Sequence, residues 1–410
     1  MQTNELIPNL FRTEYRKIVS VLCKVFGIEH IEVAEDIASE TFLLATETWG
    51  LKGLPKNPTA WLYAVSKNKT TDHLRRNALF NKKIAVDLKN ELPKTTEIEI
   101  DLSNENIADS QLQMMFAVCH PSLPPESQIG LSLSILCGFG VEEIADAFLS
   151  NKETIYKRLA RAKEKLRIQK VEIEIPTSEE INDRLATVLT TLYLLFNEGY
   201  YSASQNTILR KDFCIEAMRL THLLVENEST NTPPVNALLS LMCFHSSRFD
   251  ARIDNNGELV LYEEQDTTLW NQELINRGEY YLNESARGNV LSKYHLEAAI
   301  AYWHTNKNDT QEKWEQILQY YNKLLQLEYS PIAALNRTYA LSKASGKKIA
   351  IIAAEQLRLE DNYLYHSLLG NLYSDIDNKK AIKHFEIALK LVKSQADKSL
   401  LVNHIQRLKT

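Results

Sequence analysis

Apolar residues return every three or four positions along most of this chain, which is the spacing of the buried face of an α-helix. The pattern runs from residue 6 to about residue 77, resumes from 111 to about 167, and resumes again from 178 to the C-terminus. Glycines and prolines interrupt it at places that fit the turns between short helices. We therefore predict an all-α fold.

The breaks in this pattern also predict where one domain ends and the next begins. Residues 81–110 are polar and acidic with little aliphatic mass, which is typical of a linker. Pro176 ends a short alternating stretch, and Asn256-Gly257 lies between β-prone runs and predicts a type I′ hairpin turn. The predicted segments are a bundle at 1–80, a linker at 81–110, a second compact domain at 111–176, a helical extension at 177–290 and helical repeats at 291–410.

The last segment contains a weak internal repeat. Small and aromatic residues, Ala381, Phe385 and Ala388, take the inward positions of one predicted helix, and Gly370 precedes them. This spacing is typical of the second half of a tetratricopeptide unit, and a similar pattern surrounds Tyr321 about two repeat periods earlier. An array of amphipathic helices without a true repeat is the alternative. Both interpretations predict stacked pairs of helices.

Composition narrows the class of protein. The 410 residues are 44% hydrophobic and 24% charged, which fits several ordinary helical domains, and no apolar run is long enough to cross a membrane. The N-terminus lacks the features of a signal peptide, so we expect a cytoplasmic protein without a membrane partner. The five cysteines form no C-x-x-C pair and the histidines show no ligand spacing, so we expect no disulfide framework, metal or cofactor.

Charge is distributed unevenly along the chain. The formal net charge is -6, but the segments 67–83 and 152–170 are both strongly basic. Two separate basic segments on an acidic chain indicate two localised contacts with a polyanion such as nucleic acid.

The sharpest local signal is a helix-turn-helix pattern. A short predicted helix at 141–148 is followed by three turn residues and a longer basic helix, which Ser150 or Asn151 can cap. The predicted inward stripe of the longer helix is Ile155, Leu159, Ala162 and Leu166. The predicted DNA-facing residues are Lys152, Glu153, Thr154, Tyr156, Lys157, Arg158 and Arg161. A solvated basic helix on a globular surface is the alternative.

Two further surfaces are predicted in the first bundle. Asp36 and Glu40 lie on one side of an acidic helix, and acidic side chains held on a rigid helix suit a basic protein partner. Downstream, polar and basic residues form a ridge near Trp61, a combination that suits single-stranded DNA. The ridge residues are Asn68, Thr71, Asp72, Arg75 and Arg76. A plain surface is the alternative for this ridge.

Taken together, these segments resemble the extracytoplasmic-function sigma factors of bacterial RNA polymerase. The stretch 34–42 is similar to the region 2 helix with which such factors bind the clamp of the largest polymerase subunit. The resemblance implies that Asp36, Glu40 and Phe42 contact the polymerase core. Residues 60–76 resemble the adjoining part that recognises and melts the −10 promoter element, which implies this role for the ridge. Residues 120–166 resemble region 4, whose recognition helix reads the −35 element.

The remainder of the chain resembles one subgroup of these factors, which carries a long tetratricopeptide-like extension. The motifs that carry this resemblance lie at 193–200, 248–252 and 263–270. It implies a sigma factor that directs RNA polymerase to promoters in transcription initiation, with a regulatory extension and no enzymatic activity. The implied partners are the polymerase core, promoter DNA and an unknown protein or peptide at the repeats. Residues 68–71 depart from the family's usual choices, which leaves promoter preference open.

A set of polar residues stands out among the apolar helices of the extension. Its members are Asn197, Glu198, Arg248, Asp250, Arg252, Glu264, Asp266 and Trp270. We interpret them as ion pairs at the junction of the extension and the DNA-binding part, because arginines buried between helices need carboxylate partners. A catalytic carboxylate cluster is the remote alternative, since no nucleophile order, phosphate loop or glycine-rich fingerprint accompanies the set.

A different class of function also fits part of the sequence. A helix-turn-helix regulator that acts without polymerase, and senses a peptide or small molecule through its repeats, explains the basic helix and the extension equally well. It leaves the acidic helix around Asp36 without a role. Co-purification with core polymerase separates the two hypotheses.

Overall fold

A computed structural model describes residues 3–88, 100–148, 150–177, 179–201, 211–253, 260, 262–392 and 395–409. Helices dominate these residues and no strand occurs among them, so the predicted all-α class is confirmed. The chain divides into two compact units, Met1–Leu192 and Tyr193–Thr410, and the division falls inside a helix. The finer five-segment division stays a prediction.

The first unit begins with a three-helix bundle and continues into a second group of helices. Its helices are α1 (Thr3–Phe26), α2 (Ile31–Lys52), α3 (Pro58–Leu88), α4 (Asn104–Val118), α5 (Pro125–Ile135), α6 (Val141–Ala147), α7 (Lys152–Ile168) and α8 (Ile181–Tyr201), with a short 3-10 helix at Ile28–His30 before α2. The helix α8 continues into the second unit.

The bundle of α1, α2 and α3 is held by one buried face of α2. That face comprises Ile31, Ala34, Ile37, Ala38, Thr41, Phe42, Ala45 and Trp49. Trp49 packs edge-on against Trp61 of α3, with ring centroids 5.3 Å apart, and Leu62 of α3 is fully buried. Gly53 ends α2 with a φ of 80°, a conformation that favours glycine. The packing fixes which residues of α2 and α3 face outward.

The helix-turn-helix segment folds as its local sequence predicts. The Asn151 side chain accepts a hydrogen bond of 2.8 Å from the backbone N–H of Thr154, so Asn151 is the cap of α7. The four residues of the predicted inward stripe are all buried, and α5 and α6 both pack against α7. The predicted cap and stripe are confirmed.

Helix extends into both ends of the predicted linker. α3 continues to Leu88, and α4 begins at Asn104 with Ser103 as its cap. Residues 81–88 contain good helix formers and neither glycine nor proline, so nothing in this stretch stops α3. The acidic and polar stretch that suggested a linker is residues 91–105, most of which lie outside the described residues.

The second unit is a succession of helices that pack on their neighbours along the chain. They are α9 (Lys211–Glu226), α10 (Pro233–Ser246), α11 (Gln272–Ser285), α12 (Lys293–Trp303), α13 (Gln311–Leu327), α14 (Pro331–Ser345), α15 (Lys347–Leu357), α16 (Tyr363–Tyr373), α17 (Asn378–Leu391) and α18 (Gln395–Lys409). Short 3-10 helices at Phe249–Ala251, Tyr262–Glu264 and Thr267–Leu269 lie between α10 and α11.

Two helix pairs of the second unit approach closely because a glycine faces an aromatic ring. A Cβ on Gly278 of α11 would lie 2.5 Å from the ring of Phe244 in α10, and one on Gly370 of α16 would lie 2.6 Å from the ring of Phe385 in α17. The hydroxyl of Ser240 also donates to the carbonyl of Gly278 at 2.7 Å. Any side chain larger than hydrogen at either glycine must push the two helices apart.

The weak repeat has the predicted inward positions. Ala381, Phe385 and Ala388 are fully buried in an apolar core shared by helices from α14 to α18. The stacked helical pairs are present, while membership of the tetratricopeptide class stays a prediction. The predicted hairpin turn at Asn256-Gly257 lies outside the described residues.

Four of the five cysteines, Cys23, Cys119, Cys214 and Cys243, are buried, and Cys137 is half-buried. Burial raises the pKa of Cys119 and Cys243 to about 12, and burial raises the pKa of Cys23 as well. These thiols therefore stay protonated at neutral pH. Among the described ranges, no helix is both long enough and apolar enough to span a membrane.

We expect Gly370→Ala to destabilise the second unit by about 1–3 kcal/mol, because the added methyl group overpacks against Phe385. The matched control is Gly50→Ala in α2, where no atom lies within 4 Å of the added Cβ and helix propensity favours alanine. Urea unfolding of the full chain, followed by circular dichroism, measures both variants. An unfolding midpoint for Gly370→Ala equal to that of the wild type would contradict the close approach.

Candidate nucleic-acid interface

The outer face of α7 carries the residues predicted to face DNA. Six of them are exposed: Lys152, Glu153, Thr154, Tyr156, Lys157 and Arg161. The ring of Tyr156 is 65% exposed, which leaves a large flat surface uncovered among positive charges. Arg158 is half-buried. The N-terminal half of α7 therefore presents mixed basic, hydroxyl and aromatic groups on one rigid element.

Two of the α7 lysines are engaged in exposed ion pairs. Lys152 lies 2.5 Å from Glu142 of α6, and Lys157 lies 2.6 Å from Glu153 one turn earlier. The hydrogen bond from Lys152 lowers the pKa of Glu142, so that carboxyl is ionised at neutral pH. Water and salt screen such pairs strongly. Both lysines can therefore exchange a carboxylate for a DNA phosphate at little cost.

The two arginines of α7 differ in their surroundings. Arg158 pairs with Glu126 of α5 at 3.3 Å, and its guanidinium lies over the ring of Phe148 at 5.4 Å. Arg161 is exposed and has no carboxylate partner in the described part of the chain. Arg158 therefore helps to hold α7 on α5, while Arg161 offers its charge outward.

The ridge on α3 presents four of its five predicted residues to solvent. Asn68, Asp72, Arg75 and Arg76 follow one another at three- and four-residue steps, so they share one face of the helix. Thr71 is half-buried, and its hydroxyl donates to the carbonyl of Lys67 at 2.9 Å. Thr71 is therefore turned toward its own helix.

The predicted core-binding residues of α2 divide between its outer and inner faces. Asp36 and Glu40 are exposed, and Glu40 pairs with Lys69 of α3 at 2.7 Å, a contact that lowers the pKa of Glu40. Phe42 is only 4% exposed and packs edge-on against Phe11 of α1, with ring centroids 5.1 Å apart. The expected polymerase contact of Phe42 is therefore corrected: in this structure the ring lies in the bundle core, where it supports the outer face of α2 from beneath.

The outer face of α2 carries exposed leucines that sequence reasoning missed. Leu43 is 60% exposed and Leu51 is 88% exposed, unusual values for leucine in a packed bundle. Together with their acidic neighbours they form a continuous row along the helix. We call this row the acidic–leucine stripe: Asp36, Glu40, Leu43, Leu44, Glu47 and Leu51. The sequence does contain a signal for this row: its members recur every three or four positions, in a spacing that is offset from that of the buried face of α2.

The polar set of the extension belongs wholly to the second unit, and its arginines contact aromatic rings. The guanidinium of Arg252 lies 3.8 Å from the ring centroid of Tyr200, and that of Arg248 lies 5.4 Å from the ring centroid of Tyr262. The expected carboxylate partner of Arg248 is wrong, since none lies within 4 Å among the described residues. A weakly hydrated guanidinium stacks well on an aromatic face, which explains this arrangement.

The other members of the set have separate roles. Asp250 pairs with Lys211 at 2.6 Å, and Asp266 caps the short helix Thr267–Leu269. Trp270 is buried, with its ring centroid 6.1 Å from that of Tyr262. The remaining members are half-buried or exposed, namely Asn197, Glu198 and Glu264.

Two histidines close to these arginines are kept neutral. Burial, helped by the charges of Arg248 and Lys313, lowers the pKa of His304 to about 3. Burial, helped by Arg248 and Arg252, lowers the pKa of His245 well below its usual value. Neutral histidines avoid adding charge to a region that already holds several cations. Across the residues that the structure describes, no three His, Cys, Asp or Glu side chains meet as metal ligands would.

Comparisons with known proteins match two parts of the chain. Residues 10–80, which hold the acidic–leucine stripe and the α3 ridge, match the family model described as sigma-70 region 2. Residues 184–286 match a family of unknown function (DUF6596). No solved structure matches the chain.

A relative covers most of the chain. It is the uncharacterized protein R00370 of Rhizobium meliloti (strain 1021), which is 33% identical over 354 residues, or 85% of this chain and 83% of the relative. The chain belongs to the family of this Rhizobium protein, and its N-terminal sigma-70 region 2 supports a sigma-70 family factor with a C-terminal extension of unknown function.

Proposed function

We propose that this chain is an extracytoplasmic-function sigma factor that carries core RNA polymerase to promoters. The observation that supports this most directly is that two different exposed surfaces lie next to each other in one segment of the chain. The segment that matches sigma-70 region 2 holds an exposed acidic and apolar surface on α2 and an exposed basic ridge on α3, the helix that packs beside it. Such a pair of surfaces allows one bundle to hold a protein and a nucleic acid at once.

The acidic–leucine stripe is the proposed contact with the polymerase core, at the clamp of the largest subunit. Acidic groups at its N-terminal end attract and orient a basic partner, while Leu43 and Leu51 supply apolar area that is exposed in the free chain. Phe42 and Trp49 lie beneath the stripe and hold its backbone in place. A regulator that acted without polymerase would leave these exposed leucines unexplained.

The α3 ridge is the proposed contact with the −10 element. Arg75 and Arg76 offer charge to the backbone, while Asn68 and Asp72 offer hydrogen bonds to unstacked bases. The ring of Trp61 packs against that of Trp49 inside the bundle, so we assign Trp61 to the core and not to the DNA contact.

The exposed half of α7 is the proposed reader of the −35 element, in the manner of a region 4 recognition helix. Its cap, buried stripe and exposed N-terminal residues are those that a helix entering a major groove needs. We propose that the extension is regulatory and tetratricopeptide-like, with a protein or peptide partner at its stacked helices, and that the chain catalyses no reaction.

We expect Leu43→Ala to weaken binding of the full chain to core polymerase by about tenfold, because the truncation removes exposed apolar area at the centre of the stripe. Leu269→Ala, which truncates an exposed leucine of the second unit, is the matched control and should leave the affinity unchanged. Titration of labelled chain with core polymerase measures both. Equal affinity of Leu43→Ala and wild type would remove the stripe from the interface.

The double substitution of Arg75→Ala with Arg76→Ala should slow open-complex formation while leaving core binding largely intact, because the two arginines belong to the ridge and not to the acidic–leucine stripe. The control is Lys379→Ala with Lys380→Ala, which removes an adjacent pair of exposed bases from α17. Permanganate reactivity of promoter thymines reports opening, and a core titration reports binding. An equal loss of both activities would count against the assignment of the ridge.

Replacing Arg161 by alanine should reduce the slope of log affinity against log salt by about 1 for holoenzyme binding to −35 DNA, because one phosphate contact is lost. The comparison variant is Arg158→Ala. It should lower the midpoint of urea unfolding, which the Arg161 variant should not do, because it breaks the contact between Arg158 and Glu126. Binding at several salt concentrations measures the slope. An unchanged slope for Arg161→Ala would place this side chain away from DNA.

A further inference from the structure

Two histidine rings of the second unit share one hydrogen bond between neighbouring helices. Nδ1 of His366 in α16 lies 3.0 Å from Nδ1 of His384 in α17, and the two rings stack with their centroids 5.3 Å apart. His366 is only 6% exposed and His384 is half-buried. The contact therefore depends on a single hydrogen that lies between the rings.

A backbone carbonyl determines which ring nitrogens carry hydrogen. Nε2 of His366 lies 2.9 Å from the carbonyl oxygen of Glu360, and because a carbonyl can only accept, this nitrogen is the donor. The other nitrogen of a neutral imidazole is then an acceptor. Nδ1 of His384 must therefore carry the hydrogen that lies between the rings. The hydrogen-bond partners thus allow one arrangement of the neutral pair.

Stacking and apolar contacts tie the pair to the core of the repeats. The ring of His384 is almost parallel to that of Tyr373, with an interplanar angle of 3° and centroids 5.8 Å apart. His384 directly precedes Phe385, and His366 lies one turn before Gly370, the glycine that Phe385 approaches. Because helices move as rigid elements, the two histidines cannot separate without loosening the close approach of α16 and α17.

Charged and titratable groups lie on the helices packed around the pair. They are Glu355 on α15, Glu360 before α16, Tyr365 and Tyr373 on α16, Lys380 and Lys383 on α17, and His404 and Arg407 on α18. The cations of α14, Arg337 and Lys343, contact side chains of α13 and of the loop before it. Burial lowers the pKa of His384, His366 and the two lysines of α17 lower it further, and Glu355 raises it.

The folded pair can hold only one added proton. A proton on Nε2 of His384 leaves the bond between the rings intact. A second proton, on Nδ1 of His366, would point at the N–H of His384 across 3.0 Å and would bring two positive charges together. In an unfolded segment each imidazole takes up a proton below a pH of about 6.5. Acid therefore favours the open form of this part of the chain.

The stability that the pair contributes is present above a pH of about 6.5 and is lost as the pH falls below it. Excluding one proton from the folded segment raises the equilibrium constant for opening by about tenfold between about pH 7.5 and 5.5. The lowered pKa of His384 acts in the same direction. Tenfold is therefore the least change expected.

We propose that the pair of His366 and His384 is an acid-sensitive joint, which opens α16 and α17 of the extension in mildly acidic surroundings. The joint goes beyond the proposed function, because it lies in the second unit and needs neither polymerase nor promoter. Opening disrupts the stacked helices at which we place a protein or peptide partner. A partner held there at neutral pH is then released by acid.

Hydrogen exchange of the full chain, measured peptide by peptide with mass spectrometry, tests the joint. After correction for the intrinsic effect of pH on exchange, the protection of α16 and α17 should fall by about tenfold between about pH 7.5 and 5.5. The helix α2, which contains no histidine, is the internal reference and should keep its protection. Unchanged protection of α16 and α17 would overturn the proposal.

The variant His366→Asn tests whether the pair is responsible. An amide oxygen can accept from His384 as the imidazole does, but it takes up no proton at mildly acidic pH. The loss of the bond to Glu360 lowers the protection at neutral pH, yet the further fall in acid should shrink to less than about threefold. The matched control is His222→Asn, at an exposed histidine of α9, which should keep the tenfold fall.

A tenfold fall that persists in His366→Asn would assign the acid effect to other buried histidines, such as His245 and His304, and would overturn the joint. Should that variant not fold, exchange of the imidazole Cε1 hydrogens in the wild-type chain decides, because its rate reports the protonation of each histidine. His366 should take up its proton only together with the loss of protection in α16 and α17. Uptake while both helices are still protected would contradict the proposal.

Discussion

The burial of one face of α2 against α1 and α3 is the constraint on which the surfaces of the first unit depend. Fully burying a side chain such as Ile37 or Phe42 stabilises the bundle by about 1.5–3 kcal/mol, more than an exposed ion pair contributes. Apolar contacts therefore set the rotation of α2 about its own axis. Because the rotation of α2 is fixed, Asp36, Leu43 and Leu51 lie on its outer face. Their own side chains need no contacts to keep them there.

Local sequence predicted local structure well. The cap at Asn151 and the buried stripe of α7 follow from rules that act within a few residues, and they are confirmed. The family resemblance implied a polymerase contact for Phe42, but its ring lies inside the bundle, because neighbouring positions on a helix point in different directions and only the partner helices decide which one is inside. The pair of Glu35 and Lys163 joins residues 128 positions apart, and no pattern in a single sequence reveals such a contact.

The sequence also did not predict which groups contact the buried charged side chains of the extension. Arg248 was expected beside a carboxylate, but it lies over Tyr262, fourteen positions away in sequence and across a segment whose path the pattern did not determine. Aromatic faces attract a guanidinium without the full desolvation penalty of a buried ion pair. His245 and His304 remain uncharged beside the arginines, which limits repulsion within the cluster.

The burial of Cys23, Cys119 and Cys243 has a consequence for the kind of signal the chain can receive. Oxidants and electrophiles attack the thiolate, and a thiol held protonated inside a helical core offers neither the reactive form nor a path of approach. Peroxide or disulfide stress would leave these three sulfurs unchanged while the fold is intact. A redox stimulus would have to reach transcription through a different residue or through a separate sensor protein.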